Sequence, residues 1–265
     1  MSPDELPTFC EIVLARMNEP LAIILAAGQG KRMASELPKV LVPVCGRPMI
    51  RYVIDAVRTA GVSRILVVVG YRADLVQQEL AGEKGVEFVQ QTQQRGTGHA
   101  VMMCRNQLAG HAGPVLILAG DSPMTQVSSL RALLAEFAAH LPACLLGTGK
   151  KPNPAGLGRV LRDASGKFQG IVEEKDATPQ QRAITEVNLS TYVFAAGPLL
   201  SALEQLTDNN VQGEYYLTDC PGVLMAAGHR VEALCVLQPC EALSINTMEE
   251  LAAVEREMKR QRGSQ

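Results

Sequence analysis

Apolar positions in this 265-residue chain fall into short runs separated by polar, glycine-punctuated turns. Leu21–Ala26, Arg64–Val69, Val86–Gln90 and Pro114–Leu118 are aliphatic or β-branched runs of strand length, and each predicts a strand. Between and after them apolar residues recur at helical spacing. Pro48–Ala60 (stopping at Gly61), Ala73–Leu80, Gly98–Leu108 and Ser128–His140 therefore predict helices. Such strand–helix alternation predicts an α/β fold whose parallel sheet is wound by right-handed crossovers.

Past Leu141 the pattern changes. Ala143–Gly147, Gly158–Leu161, Phe168–Glu173 and Asn188–Phe194 predict strands separated by turns, a mixed or antiparallel half forming a smaller lobe over the same crevice. Val231–Val236 predicts a late strand, and Met248–Lys259 a charged terminal helix fraying into 260–265. Ahead of the first strand, 11–17 predicts a short helix closed by Pro20. No repeat or flexible linker interrupts the chain. The expected organisation is an extension over 1–19, one domain over 20–245 and a helix and tail over 246–265.

Composition narrows the partners. A net charge of −2 and a pI near 6.1 provide no basic field for nucleic acid. The apolar runs are too short to span a bilayer, and the amino terminus does not read as a signal peptide. Seven scattered cysteines without a C-x-x-C pair signal neither zinc nor a redox motif, and predict reduced thiols in a cytoplasmic protein. Oligomeric state is left open.

The candidate chemistry follows the first strand. Leu25, Ala26, Ala27, Gly28, Gln29 and Gly30 run into Lys31 and Arg32, with Lys39 close behind. Glycines let backbone N–H groups approach an anion, and the cations neutralise it. A Walker A loop would need Ser or Thr after Lys31, where Arg32 stands; a dinucleotide fingerprint would need Gly at Met33. What remains is A-A-G-x-G-x-R-M followed by P-K, a signature that resembles the loop of sugar-nucleotide pyrophosphorylases. Two further polar sets, Gln91–Thr97 and Asp121, also follow predicted strands, so three constellations converge on one sheet edge, where α/β folds bind ligands.

Eight further blocks extend the resemblance over nearly the whole chain after Pro20: P-K-V-L (38–41), Q-T-Q-Q-R-G-T-G-H-A (91–100), A-G-D-S-P (119–123), G-L-G-R-V (156–160), I-V-E-E-K-D-A-T (171–178), E-V-N (186–188), Q-G-E-Y-Y-L-T-D (212–219) and S-I-N (244–246). Their order and spacing resemble the N-acetylglucosamine-1-phosphate uridylyltransferases, specifically the pyrophosphorylase domain of bacterial bifunctional enzymes that make UDP-N-acetylglucosamine. The resemblance implies a Rossmann-like nucleotide-diphospho-sugar transferase fold, with a mixed, mostly parallel sheet and a smaller sugar-binding lobe. It also implies UTP and a sugar 1-phosphate as substrates, pyrophosphate as product and Mg2+ as cofactor.

The same resemblance implies roles for individual residues. Arg32 would hold pyrophosphate and Lys39 the α-phosphate region; taken alone they read equally as surface cations. Leu25, Ala26, Ala27, Gly28, Gly30, Gln91, Gln94, Gly96 and Thr97 would contact the nucleotide, although the glutamine run alone reads better as a solvated loop. Asp121 and Asn246 would hold the metal; Asn246 alone reads as a turn residue or helix cap. Gly158, Glu173 and Asn188 would contact the sugar, with Glu214 and Tyr215 shaping that pocket, and His99 reads as structural. Two departures fall near the sugar positions: Leu157 where Tyr is common, and Leu189-Ser190 where Thr-Gly is usual. The chain carries no hexapeptide repeat, so no acetyltransferase activity or trimer-forming β-helix surface is expected. The alternatives are a nucleotidyltransferase for another sugar 1-phosphate and a catalytically silent regulatory subunit that binds sugar nucleotides.

Overall fold

The computed structural model describes residues 19–30, 33 and 36–263. The helix expected over 11–17 and the role expected of Arg32 lie outside the described residues.

Strand β1 (Leu21–Ala26) lies at the centre of the sheet, between β4 (Arg64–Val69) and β6 (Pro114–Ala119), parallel to both. β5 (Val86–Gln90) continues the parallel run beyond β4. On the other side β10 (Glu186–Ala195) runs antiparallel between β6 and β7 (Cys144–Lys150), and β11 (Val231–Cys235) closes the edge parallel to β7. The order is β11-β7-β10-β6-β1-β4-β5. The C-terminal strands thus continue the same sheet. The smaller lobe is the hairpin β8 (Gly158–Arg162) and β9 (Phe168–Val172), which attaches through β8 to β10.

Alternation of side chains across the strands separates two cores. Leu21, Ile23, Leu66, Val68, Val115 and Ile117 pack on one face, with helices α3 (Thr97–Met102), α4 (Arg105–Leu108), α7 (Ala196–Glu204) and α8 (Cys220–Ala226). Ala22, Ile24, Ala26, Ile65, Val67 and Leu116 pack on the other, with α1 (Met49–Thr59), α2 (Ala73–Glu79) and α5 (Val127–His140). The chain runs outward from β1 to β4 and β5, then crosses back to β6 on the opposite side of β1. This reversal opens a crevice at the carboxyl ends of β1 and β6.

The expected single helix over Gly98–Leu108 is two helices. Cys104 N–H bonds Val101 C=O, a tight three-residue step that interrupts the α-helical ladder. Helix α7 follows β10 directly. Its Gly197-Pro198 pair resembles a turn in the sequence, yet it occupies the first helical turn, where proline loses no needed hydrogen bond. The short hairpin β2 (Pro43–Val44) and β3 (Arg47–Pro48), and the four-residue α6 (Pro179–Arg182), carry too little pattern to be read in advance.

A third core joins the segment after β1 to the last helix. The terminal helix α9 (Met248–Gly263), longer than its expected span, buries Leu251, Val254 and Met258 against Met33, Val42, Val44, Met49, Met124 and Ile245. Glu255 Oε1 accepts the Cys45 N–H at 2.7 Å on the same contact. Thr247 and Glu250 form a capping box at its start: Glu250 N–H donates to Thr247 Oγ1, and Glu250 Oε2 accepts the Thr247 N–H. The cap is therefore Thr247, and the Asn246 side chain, one position earlier, faces away to another partner.

Ser190 carries a backbone feature that its identity does not favour. The β10–β7 register shifts between Asn188 and Thr191, and Ser190 sits there at φ +55°, a conformation that suits glycine. Asn188 Oδ1 accepts the Ser190 N–H at 3.2 Å and helps to hold it.

Ile245→Ala, at a position 1% exposed, is expected to lower unfolding free energy by about 2–5 kcal/mol in urea titration; a loss under about 0.5 kcal/mol would show that the third core is not cohesive. Ser190→Gly is expected to raise stability by about 1 kcal/mol by relieving the left-handed strain, and a loss in the same titration would contradict that strain.

Candidate active site

Three segments far apart in sequence supply one cluster of charged and polar atoms. Lys39 opens a short turn (Lys39–Leu41) whose Val40 and Leu41 are buried. Asp121 follows β6 by one glycine, and Asn246 precedes the cap of α9. Lys39 Nζ lies 2.5 Å from Asp121 Oδ2 and donates to Asn246 Oδ1 at 3.0 Å. The Lys39 and Asp121 side chains are only 17% and 27% exposed, so this contact is less screened than a surface pair. Two oxygens, one carboxylate and one amide, thus converge on a single cation. Hard divalent cations favour such a donor set, so the residues fit magnesium. Among the described residues a group of three metal-capable side chains, Glu136, His140 and Glu232, lies elsewhere; it shares none of these residues, and Arg230 already pairs with its Glu232.

Gly30 accounts for the position of Lys39. It has φ +69°, and a Cβ there would lie 2.8 Å from Lys39 Cβ. The glycine turn is therefore also the surface against which the lysine stem packs.

With Asn246 behind them, Lys39 and Asp121 of this cluster line a cavity of about 400 Å3. Its walls include Leu25, Ala27, Gly28, Lys39 and Asp121 from the β1 and β6 edge. The other wall is Gln91, Gln94, Gly96 and Thr97 from the segment after β5. Leu25 and Ala27 line the cavity, whereas Ala26 points into the core on the far face, as strand alternation requires. A Cβ at Gly28 would meet no atom of the described residues within 4 Å beyond its chain neighbours.

The Gln91–Ala100 segment is fixed by the 212–219 segment. Tyr215 N–H donates to Arg95 C=O and Gly98 N–H to Tyr215 C=O. Leu217 N–H donates to Thr97 Oγ1, and the Arg95 guanidinium lies 4.9 Å above the Tyr215 ring. Gly96 has φ +102°, and a Cβ on it would come within 2.5 Å of Tyr215 O. Gln91 is only 3% exposed; its Nε2 donates to Gly96 O and lies 3.0 Å from His99 Nδ1.

A second cavity of about 200 Å3 shares Leu25, Thr97, Ser190 and Glu214 with the first, and adds Glu173, Tyr192, Gln212, Tyr216 and Thr218. Burial pushes the Glu173 carboxyl above the usual range, with Asp219 and Asp176 adding to the effect and a Thr218 hydrogen bond opposing it. Gly158 lies beside this carboxylate without lining either cavity: a Cβ there would make an ordinary 3.5 Å contact with both oxygens and would crowd Ile171 Cγ2 at 3.1 Å.

Asn188 does not line either cavity. It is buried, with its Nδ2 donating to Tyr192 Oη at 2.7 Å and its Oδ1 holding the Ser190 backbone. The two residues it positions do face the cavity. Glu214 lines both cavities, whereas Tyr215 packs behind them. Ser190, Tyr192 and Thr218 are wall residues that the sequence reading missed; the departure from glycine at Ser190 was the available signal. Larger surface openings beside β11 and beside His111 hold none of the residues singled out from the sequence.

Comparison with known proteins gives this geometry a family. Bifunctional protein GlmU of Pelotomaculum thermopropionicum is 44% identical over 239 residues, which are 90% of this chain and 52% of that protein. The GlmU proteins of Solibacter usitatus and Listeria innocua are 44% and 41% identical over 91% and 92% of this chain, and over 52% and 53% of their own lengths. The chain thus spans about half the length of these curated relatives. A crystal structure of UDP-glucose pyrophosphorylase complexed with UDP-glucose superposes with a TM-score of 0.76 at 14% identity, covering 92% of this chain and 100% of that one, which establishes the shared fold. The family model for the MobA-like NTP transferase domain matches residues 22–215, from β1 to the tyrosine that braces the glutamine segment, and the chain belongs to that family.

Proposed function

We propose that this protein is a magnesium-dependent nucleotidyltransferase that makes UDP-N-acetylglucosamine and pyrophosphate from UTP and N-acetylglucosamine 1-phosphate. One observation carries the reading. Lys39 and Asp121, with Asn246 bonded to the lysine, line a cavity walled also by Gln91, Gln94, Gly96 and Thr97, and this cavity shares walls with a second one around Glu173. The GlmU relatives support the choice of activity.

In the reaction, a phosphate oxygen of the sugar 1-phosphate attacks the α-phosphorus of UTP. The new P–O bond forms as the bond to the β-phosphate oxygen breaks, and the electron pair leaves with pyrophosphate. The attacking phosphate is already ionised near neutral pH, so no general base is required, and His99 has no such task. The catalytic burden is electrostatic. Lys39 neutralises charge on the α-phosphoryl oxygens, and Arg32 is assigned to the pyrophosphate. Asp121 and Asn246 would hold Mg2+, which would supply further charge neutralisation. Leu25, Ala27, Gly28 and Gly30 form the backbone cradle, with Ala26 anchoring it from the core. Gln91, Gln94, Gly96 and Thr97 contact the base and ribose side. Glu173 accepts hydrogen bonds from sugar hydroxyls, Gly158 is assigned to the sugar beside it, and Asn188 acts through Tyr192 and Ser190. UTP and the sugar phosphate are the assigned partners, in a cytoplasmic setting; neither nucleic acid nor membrane is among them.

A second sugar is the competing reading, because Leu157 and Ser190 depart from the pattern of the sugar-binding blocks. Pyrophosphate release across four nucleoside triphosphates and several hexose 1-phosphates separates the two. Turnover restricted to UTP and N-acetylglucosamine 1-phosphate is expected; turnover with another hexose reassigns the acceptor, and none with any pair favours a silent sugar-nucleotide-binding subunit.

Asp121→Asn is expected to cut turnover by about 10²–10³-fold with little change in urea midpoint; near-normal turnover at saturating magnesium would remove Asp121 from the metal site. Protonation of Glu173 turns one of its two acceptor oxygens into a donor and removes its charge, and its raised pKa moves that loss to higher pH than for an ordinary carboxylate. Activity at low sugar-phosphate concentration should therefore decline on the acid side at unusually high pH. Glu173→Gln should raise KM for the sugar phosphate about tenfold and abolish that acid limb; an unchanged acid limb would assign it to another group.

A further inference from the structure

Gln91 has one carboxamide, and the structure dictates which end of it meets the cavity. Its Nε2 lies 3.1 Å from Gly96 O. A backbone carbonyl can only accept, so the NH2 end must face it, whichever way the amide is drawn. The same nitrogen lies 3.0 Å from His99 Nδ1. With one amide hydrogen given to Gly96, the other points to the ring, and His99 Nδ1 must accept it as a lone pair. Both hydrogens of Gln91 are then consumed. Its Oε1 has no partner among the described residues, and Gln91 is a wall of the nucleotide cavity.

We infer that His99 is a specificity-determining positioning residue: its neutral ring and the Gly96 carbonyl lock Gln91 so that only an acceptor faces the base. This rests on the reading that a nucleotide base sits against Gln91. An acceptor at that place pairs with uracil, whose ring nitrogen N3 carries a hydrogen. It repels cytosine, whose N3 carries a lone pair instead. Rotating the amide by half a turn would favour cytosine, but would set two oxygens against each other at Gly96 and would need a hydrogen on His99 Nδ1.

The surroundings keep that hydrogen away. Burial and the nearby Arg95 guanidinium both hold the His99 pKa below its ordinary value, with a bond to the Gln93 backbone opposing them in part. Among the charged and titratable groups around the ring, Arg95 lies over Tyr215 and pairs with Asp208 at 2.9 Å, and the Tyr215 ring centroid is 6.3 Å from that of His99. Glu214 packs against Gly96, where a Cβ would lie 2.9 Å from the Glu214 Cβ. No carboxylate is recorded against the ring among the described residues. Protonation at low pH would place a donor opposite the Gln91 NH2 and break the lock.

The test is calorimetric binding of UTP and of CTP to the full chain, reported as the ratio of the two Kd values. Binding requires no sugar phosphate and no turnover, so it separates this inference from the catalytic reading. His99→Leu removes the acceptor and should reduce the preference for UTP about five- to tenfold. His99→Asn, whose Oδ1 can stand where Nδ1 stands, should retain most of it. In the unaltered protein the preference should hold near neutral pH and decline toward acid pH ahead of His99→Asn, in which only the protonation of cytosine N3 remains. That arm decides the matter even if His99→Leu does not fold. A preference that follows pH in the unaltered protein as it does in His99→Asn, or is equal in His99→Leu, overturns the role of His99 alone. Failure of both nucleotides to bind removes the base-binding reading and this inference together.

Discussion

The Lys39 ammonium is the contact on which the site depends. It bridges Asp121, at the end of a central strand, and Asn246, at the threshold of the last helix. Each of the three is held by a different part of the fold. Gly30 supplies the surface for the lysine stem, β6 delivers Asp121, and the third core docks α9 so that Asn246 arrives 207 residues away from its partner. Two oxygens brought together without a cation would repel one another and be poorly solvated. The lysine offsets that cost, and the same pair of oxygens is the place proposed for a second, harder cation.

The cavities and the layer behind them hold polar groups fixed in one orientation by their neighbours. Gln91 is held by Gly96 and His99, Asn188 by Tyr192 and Ser190, and the 95–98 segment by backbone bonds to Tyr215. Preorganised donors and acceptors of this kind are effective because no reorganisation is needed when charge develops on the substrate. They also explain why the blocks at 91–100 and 212–219 occur together in the sequence: one is the support of the other.

Much of the architecture was legible in the sequence, for particular reasons. β1, β4 and β5 have the bounds that their apolar runs predict, because an aliphatic run closed by a turn leaves little freedom. The C-terminal strands were legible as strands but not as members of the same sheet, since antiparallel insertion of β10 between β6 and β7 is decided by long-range packing. The division of Gly98–Leu108 into two helices turns on one tight step at Cys104 that helical periodicity does not register. Within the site, the glycine turn, Lys39 and Asp121 could be read from local pattern. Asn246 could not, because a residue beside a helix start looks like a cap until Thr247 is seen to take that task. Asn188 was read as a sugar contact by resemblance, and its side chain is instead spent on the wall behind the cavity.

The most direct measurement of the central claim is Mn2+ binding, followed by its electron paramagnetic resonance signal, in the presence of a non-hydrolysable UTP analogue. The account predicts that Asn246→Ala weakens Mn2+ binding by about tenfold or more while the folded chain persists, because it removes one of the two converging oxygens. Equal Mn2+ affinity in the two proteins would contradict it, and would leave the Lys39 cluster as a structural ion pair rather than a cation site.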